Sequence, residues 1–162
     1  MAFILQIVGF KNSGKTTMTQ KLIQLCKQDG YRVAVVKHDS HDFEIDHAGT
    51  DSYVFREQGA DVVALASSRQ FAMMMGRGQS LKETLRQLPE TDIVLIEGYK
   101  DAPFPKVVMI RSLEDFQELH TYVAKPLRFA SRFPLGMEGV DFVGEEEALD
   151  HFTKRLLKEI FA

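Results

Sequence analysis

Three stretches of this 162-residue chain hold residues at spacings that chemistry needs. The first, Gly9-Phe10-Lys11-Asn12-Ser13-Gly14-Lys15-Thr16, is a complete G-x-x-x-x-G-K-T sequence followed by Thr17. An apolar run leads in and an amphipathic pattern leads out, so the backbone N–H groups of Asn12, Ser13, Gly14, Lys15, Thr16 and Thr17 can curl around a phosphate at a helix start. Gly9 and Gly14 permit the tight turn and close approach. Lys15 neutralises the β and γ phosphates, and the Thr16 hydroxyl is a hard oxygen suited to Mg2+. Binding of a nucleotide triphosphate through its phosphates is the chemistry this pattern supports.

The second stretch, Asp92-Ile93-Val94-Leu95-Ile96-Glu97-Gly98, offers two acids for the carboxylate that would hold magnesium or its waters. Phosphates bind beyond the carboxyl ends of parallel strands, and Asp92 lies about 16 Å back from that end at about 3.3 Å per residue. Glu97 is the better placed. The third stretch is Lys37-His38-Asp39-Ser40-His41-Asp42-Phe43-Glu44-Ile45-Asp46-His47, expected to leave the sheet at the same end. Lys37 and His38 stand nearest the strand and suit phosphate, whereas Asp39 or Asp42 could orient a water or serve as a catalytic base. Imidazoles and carboxylates also suit a transition metal, although the spacing is not H-E-x-x-H and no thiolate stands nearby.

These residues need a scaffold, and the chain alternates short β-branched runs with helical patterns. That is the signature of an α/β fold with a mainly parallel sheet and helices on both faces, and together with the Gly9 to Thr16 motif it makes a three-layer P-loop NTPase fold the expectation. Strands are expected at Phe3 to Val8, Arg32 to Lys37, Asp61 to Ala66, Ile93 to Ile96, Val107 to Ile110 and Thr121 to Ala124. Met18, Leu22, Leu25 and Cys26 stripe the first helix, which Gly30 ends. Further helices are expected over Thr50 to Gln58, from Ser80 to Pro89, and after the Glu145-Glu146-Glu147 run, whose charges suit a helix start. Phe71-Ala72-Met73-Met74-Met75 reads as a buried strand or a sheet edge, and could pair across a subunit boundary in a dimer.

Length and composition bound the remaining possibilities. The chain suits one domain, residues 1–162 as a single nucleotide-binding unit. Twenty Lys plus Arg against 23 Asp plus Glu give net charge -3, which disfavours a nucleic-acid binder. A single cysteine, no apolar run long enough for a bilayer and no basic leader predict a cytoplasmic protein without a membrane partner.

The loop Gly9 to Thr17, the Val36-Lys37-His38 stretch followed by Asp42, Asp46 and Gly49-Thr50-Asp51-Ser52-Tyr53, and the turn Ile96-Glu97-Gly98-Tyr99-Lys100 together resemble the molybdopterin-guanine dinucleotide biosynthesis protein MobB family. The resemblance runs from residue 9 to residue 100 in matching order. It implies a GTP-binding accessory protein of molybdenum cofactor assembly, a homodimer and at most a slow GTPase. Its implied partners are a MobA-like guanylyltransferase, which joins GMP to molybdopterin, and molybdopterin or the molybdenum cofactor itself. Carried over, Gly9 and Asn12 to Thr17 contact the phosphates of GTP, Thr16 and Glu97 serve Mg2+, and Lys37, His38, Asp42, Asp46 and Asp51 line a shared cleft. The guanine-reading Asn/Thr-Lys-x-Asp sequence is absent; Val123-Ala124-Lys125-Pro126-Leu127 comes nearest and lacks the aspartate. Guanine preference is thus implied by the resemblance and not by a motif. Two other functions stay open from the residues alone. One is a small-molecule P-loop kinase using Asp39 or Asp42 as acceptor base, and the other is a metal-insertion GTPase of the hydrogenase or urease type using His38, His41 and His47.

Overall fold

A parallel strand covered on both faces needs apolar side chains pointing both ways, and the central strands here have them. The computed structural model describes residues 2–38 and 43–161. In chain order the elements are β1 (Phe3–Gly9), α1 (Lys15–Gln28), β2 (Val33–Lys37), α2 (Asp51–Glu57), β3 (Val62–Ala66), β4 (Phe71–Met75), α3 (Leu81–Gln87), β5 (Ile93–Glu97), β6 (Lys106–Ile110), α4 (Leu113–Tyr122), β7 (Pro126–Ser131), β8 (Val140–Phe142) and α5 (Glu146–Phe161). By internal contacts they divide into two compact units, one formed by the chain up to His38 with the chain from Leu88 onward, the other by the segment between.

The larger unit is a six-stranded sheet in the order β2-β5-β1-β6-β7-β8, with every neighbouring pair parallel. Alternation along β1 and β6 divides its core. Leu5 and Ile7 with Val107 and Met109 pack against α1 and α5 through Met18, Leu22, Phe152 and Leu156. Val8, Val108 and Ile110 point the other way, onto Leu119 of α4. Each side chain so buried contributes about 1.5–3 kcal/mol. Helices thus cover both faces, and the three-layer α/β fold expected from the alternating pattern is the fold observed. Cys26 lies in the first of these layers, fully buried, and burial pushes its thiol up to about 11.

The smaller unit holds α2, α3 and a two-stranded antiparallel hairpin of β3 and β4. Two expectations change here. The run Asp61 to Ala66 does form a strand, but outside the parallel sheet, since Phe71–Met75 folds back on it in register from Val62↔Met75 to Ala66↔Phe71. That second run is a strand with an open face, since Phe71 is 67% and Met73 54% exposed.

Thr121 to Ala124 is not a strand. Ser112 accepts a hydrogen bond from the Asp115 N–H and starts α4, which carries Thr121 to its last turn. Lys125, at positive φ, then turns the chain into β7, so the strand of this region begins at Pro126. The β-branched Thr and Val at 121 and 123 yielded to a capped helix whose Leu119 fills the core.

Candidate nucleotide-phosphate site

The Gly9–Thr17 loop joins β1 to α1. Gly9 has φ +151, and a side chain there would collide with the Met109 carbonyl oxygen and the Ser13 hydroxyl. Gly14, left-handed at φ 97, occupies the N-cap position of α1 without a side-chain cap, and no acidic residue stands in the first turn. The helical ladder starts with the Met18 N–H donating to the Gly14 carbonyl at 3.0 Å. The preceding N–H groups of Lys15, Thr16 and Thr17 therefore have no acceptor within the helix, and the positive end of its dipole is uncompensated. The Ser13 hydroxyl, fully buried inside the loop, has no hydrogen-bond partner among the described residues. A helix start with open donors, no cap and no acid is the arrangement that an anion completes.

Lys15 and Thr16 carry the loop's reactive groups. The Lys15 ammonium donates to the Phe10 carbonyl at 2.7 Å and thereby lies across the mouth of the loop. Burial is the main cause holding its pKa below the usual lysine value; Glu97 opposes this, and Lys100, Lys37 and Arg111 add to it. The Thr16 hydroxyl stands 3.3 Å from both carboxylate oxygens of Glu97, which is buried at the end of β5. A hydroxyl and a carboxylate at this separation are both hard oxygen donors, and the pair fits a magnesium ion that keeps several waters. Asp92, the acid rejected on distance, is engaged elsewhere: it accepts from the Arg32 backbone N–H at 2.7 Å and from its guanidinium at 3.1 Å.

The turn after Glu97 is held from below by two buried polar side chains. Gln6 of β1 pairs with Ile96 on one side and Lys106 on the other, so it lies under the connection between β5 and β6. Its Nε2 donates to the carbonyls of Gly98 at 3.1 Å and Tyr99 at 2.8 Å. The Lys106 ammonium, fully buried, donates to the carbonyls of Lys100 at 3.2 Å and Ala102 at 2.6 Å. Held this way, Tyr99 adopts φ 52 and stacks on the His38 ring with centroids 4.2 Å apart. Lys100 places its ammonium 4.1 Å from the centroid of the Phe10 ring, and Arg111 approaches the same ring at 5.5 Å.

The other expected residues are distributed as follows. Lys37 is the register partner of Glu97, and the His38 N–H donates to the Glu97 carbonyl at 2.9 Å, so both stand at the end of β2 beside the carboxylate. Asp39, Asp42 and His41 lie outside the described residues. Asp46, in the smaller unit, accepts from the Thr50 hydroxyl at 2.7 Å and the His47 N–H at 3.0 Å. The Thr50 bond is the main cause holding its carboxyl below the usual range. Asp51 is the exposed first residue of α2.

Sequence reasoning missed Gln6 and Lys106; from sequence, Arg111 could stabilise phosphate charge but reads more simply as a solvated arginine. Arg111 instead donates to both Asp115 oxygens, at 2.7 and 2.8 Å, and to the Lys11 carbonyl at 3.2 Å. The available signal was a polar residue inside or beside an apolar strand run, as at Gln6, Lys106 and Arg111. Among the described residues no group of three His, Cys, Asp or Glu side chains could hold a metal ion, and no helix is long and apolar enough to cross a membrane.

Comparison with known proteins bears out the family resemblance. The family model described as Molybdopterin guanine dinucleotide synthesis protein B (MobB) matches residues 4–127. The chain is 35% identical over 141 residues to the molybdopterin-guanine dinucleotide biosynthesis adapter protein of Haemophilus influenzae, covering 83% of this chain and 78% of that protein. It is 36% identical over 120 residues to the probable adapter protein of Bacillus subtilis, covering 72% and 69%. Among solved structures, the MobB protein homolog from Bacillus stearothermophilus superposes with a TM-score of 0.75 at 27% identity, over 97% of each chain. Bacillus subtilis MobB gives 0.76 at 30% identity, over 94% of this chain and 96% of the other.

Proposed function

Because the chain belongs to the MobB family, we propose that it is a GTP-binding adapter in molybdopterin-guanine dinucleotide biosynthesis, assisting the attachment of GMP to molybdopterin by a MobA-like guanylyltransferase. One observation carries this reading: the uncapped, acid-free start of α1, with Lys15 across the loop and Thr16 beside Glu97. The open N–H groups and the lysine suit the β and γ phosphates. Thr16 and Glu97 suit magnesium, which when bound neutralises phosphate charge. Lys37, Lys100 and Arg111, close enough to depress the Lys15 pKa, provide further positive charge for a polyphosphate. Hydrolysis in this reading is at most slow, as fits a protein that holds a nucleotide for a partner enzyme.

The adapter works as a homodimer in this proposal. A hairpin of two strands has little stability alone, and here Val62, Phe71 and Met73 share one exposed face. A second copy is the proposed partner for this apolar face.

Calorimetric titration of GTP with and without Mg2+ tests the proposal. Lys15→Ala should abolish binding while leaving the circular dichroism spectrum intact, and Glu97→Gln should weaken binding in magnesium more than in chelator. Unchanged affinity in Lys15→Ala would show that nucleotide binds elsewhere or not at all.

A further inference from the structure

If phosphates occupy the loop, the attached base needs a reader that the absent Asn/Thr-Lys-x-Asp sequence does not supply. A cleft of about 330 Å3 opens beside the loop within the same compact unit, lined by Thr17, Gln20, Arg132, Gly144, Glu145 and Glu146 among others. Topology puts it there. β7 and β8 continue the sheet on the side of β1 away from β5, and their carboxyl ends lead into Arg132 and toward Gly144. Ligands of open parallel sheets bind beyond those ends.

Two close approaches weld the cleft wall to the loop. A side chain at Gly14 would collide with the aliphatic stem of Arg132, so that stem lies directly on the loop glycine. A side chain at Gly144 would collide with the Arg132 carbonyl oxygen, so the chain after β8 lies against the chain after β7. Thr17 belongs to both loop and cleft, and a phosphate held at the helix start near it would deliver its nucleoside into the cleft.

The carboxylates and the arginine of the cleft match guanine. Guanine presents N1–H and N2–H side by side, the donor pair that a carboxylate accepts, and O6 and N7 as the acceptor pair that an arginine fork reaches. Adenine has a lone pair at N1 in place of the donor, and a carboxylate there is repelled. Glu145 and Glu146 form no ion pair among the described residues, whereas Lys21 of the same wall is taken by Asp150 at 2.8 Å. We infer that this cleft is the base subsite, in which the Glu145 and Glu146 carboxylates, with Arg132, select guanine in place of the missing motif. The inference rests on the phosphate-loop reading above.

The test is titration of GTP, ITP, ATP and inorganic tripolyphosphate in magnesium. It uses the parent chain, a Glu145→Gln/Glu146→Gln double variant, and Arg132→Met, which keeps the stem that packs on Gly14. ITP lacks only the N2 amino group, and tripolyphosphate has no base. The parent should prefer GTP to ITP and to ATP by about tenfold to a hundredfold, the range set by one good bidentate base contact. The double variant should lose its preference for GTP over ITP, have its preference over ATP reduced to the part that Arg132 supplies, and keep its tripolyphosphate affinity. Arg132→Met should weaken GTP and ITP by the same factor, since both carry O6 and N7. Tripolyphosphate binding together with unchanged GTP:ITP:ATP ratios in the double variant overturns the base subsite and leaves the phosphate reading standing. Failure of tripolyphosphate and GTP alike to bind the parent overturns both.

Discussion

Replacing Lys106 with methionine removes an ammonium that no water reaches and leaves the aliphatic volume in place. Two charge-assisted hydrogen bonds go with it, to the carbonyls of Ala102 at 2.6 Å and Lys100 at 3.2 Å. Bonds of this kind contribute about 1.5–3 kcal/mol each, the longer one toward the low end. Against them stands the cost of keeping an ammonium buried, which methionine relieves. The net loss expected is about 1–3 kcal/mol, a fall in Tm of roughly 3–10 °C for a chain of this size. Urea melts of parent and variant at matched pH measure it, with an unchanged slope confirming that the same surface is exposed on unfolding.

The same experiment carries a pH signature. Burial is the main cause that lowers the Lys106 pKa below 10.5, with Asp101 opposing and Lys125 adding. Between that lowered value and about 10.5 the unfolded chain binds more protons at this site than the folded one, so the contribution of Lys106 to stability rises with pH through that window. The parent should therefore gain on Lys106→Met as the buffer is made alkaline below about pH 10.5. The turn also carries Tyr99 and Lys100, so tripolyphosphate affinity should drop several-fold in the variant. A variant as stable as the parent would refute the clamp. A destabilised variant with unaltered tripolyphosphate affinity would refute its link to the site.

Two further outcomes follow from the same structure. Lys15 is held below its usual pKa chiefly by burial, and a bound polyphosphate raises it again; nucleotide binding should take up protons at alkaline pH, and affinity should fall as pH rises through the depressed value. Calorimetry in buffers of different ionisation enthalpy reads the uptake, and an identical apparent enthalpy in all of them would remove Lys15 from the phosphate contact. Phe71→Ser combined with Met73→Ser should shift sedimentation toward a single copy while leaving tripolyphosphate affinity within about twofold; a sedimentation coefficient unchanged from the parent would exclude the hairpin as the dimer face.

The parallel sheet was readable because its strands, buried on both faces, are unbroken apolar runs, and the turn from β1 into α1 because its glycines and Lys15 stand at a fixed spacing. Strand length alone places Glu97, and not Asp92, at the strand end beside Thr16. What escaped were features that depend on partners distant in the chain. The hairpin run Val62–Ala66 has the composition of a sheet strand, and only its pairing with Phe71–Met75 shows that it leaves the main sheet. Thr121 and Val123 favour a strand locally, but the Ser112 cap and the burial of Leu119 extend a helix through this region. Gln6 and Lys106 look like interruptions of apolar strands until the carbonyls of residues 98–102 are seen above them. Arg132 is one arginine in an irregular stretch until Gly14 and Gly144 are seen to leave room for it.

The captured carbonyls above β1 also bear on when order is acquired. A turn of this length in open solvent would fluctuate, and a ligand that met it would have to bear the entropy of fixing it. Here Gln6 and Lys106 belong to the two strands at the middle of the sheet, so the turn becomes ordered when β1 and β6 come together. The cost of ordering it is incurred once, in folding. On the proposed function, a nucleotide meets Lys100, Tyr99 and His38 already in place, and free energy from its contacts remains available for binding itself and for exchange with a partner enzyme.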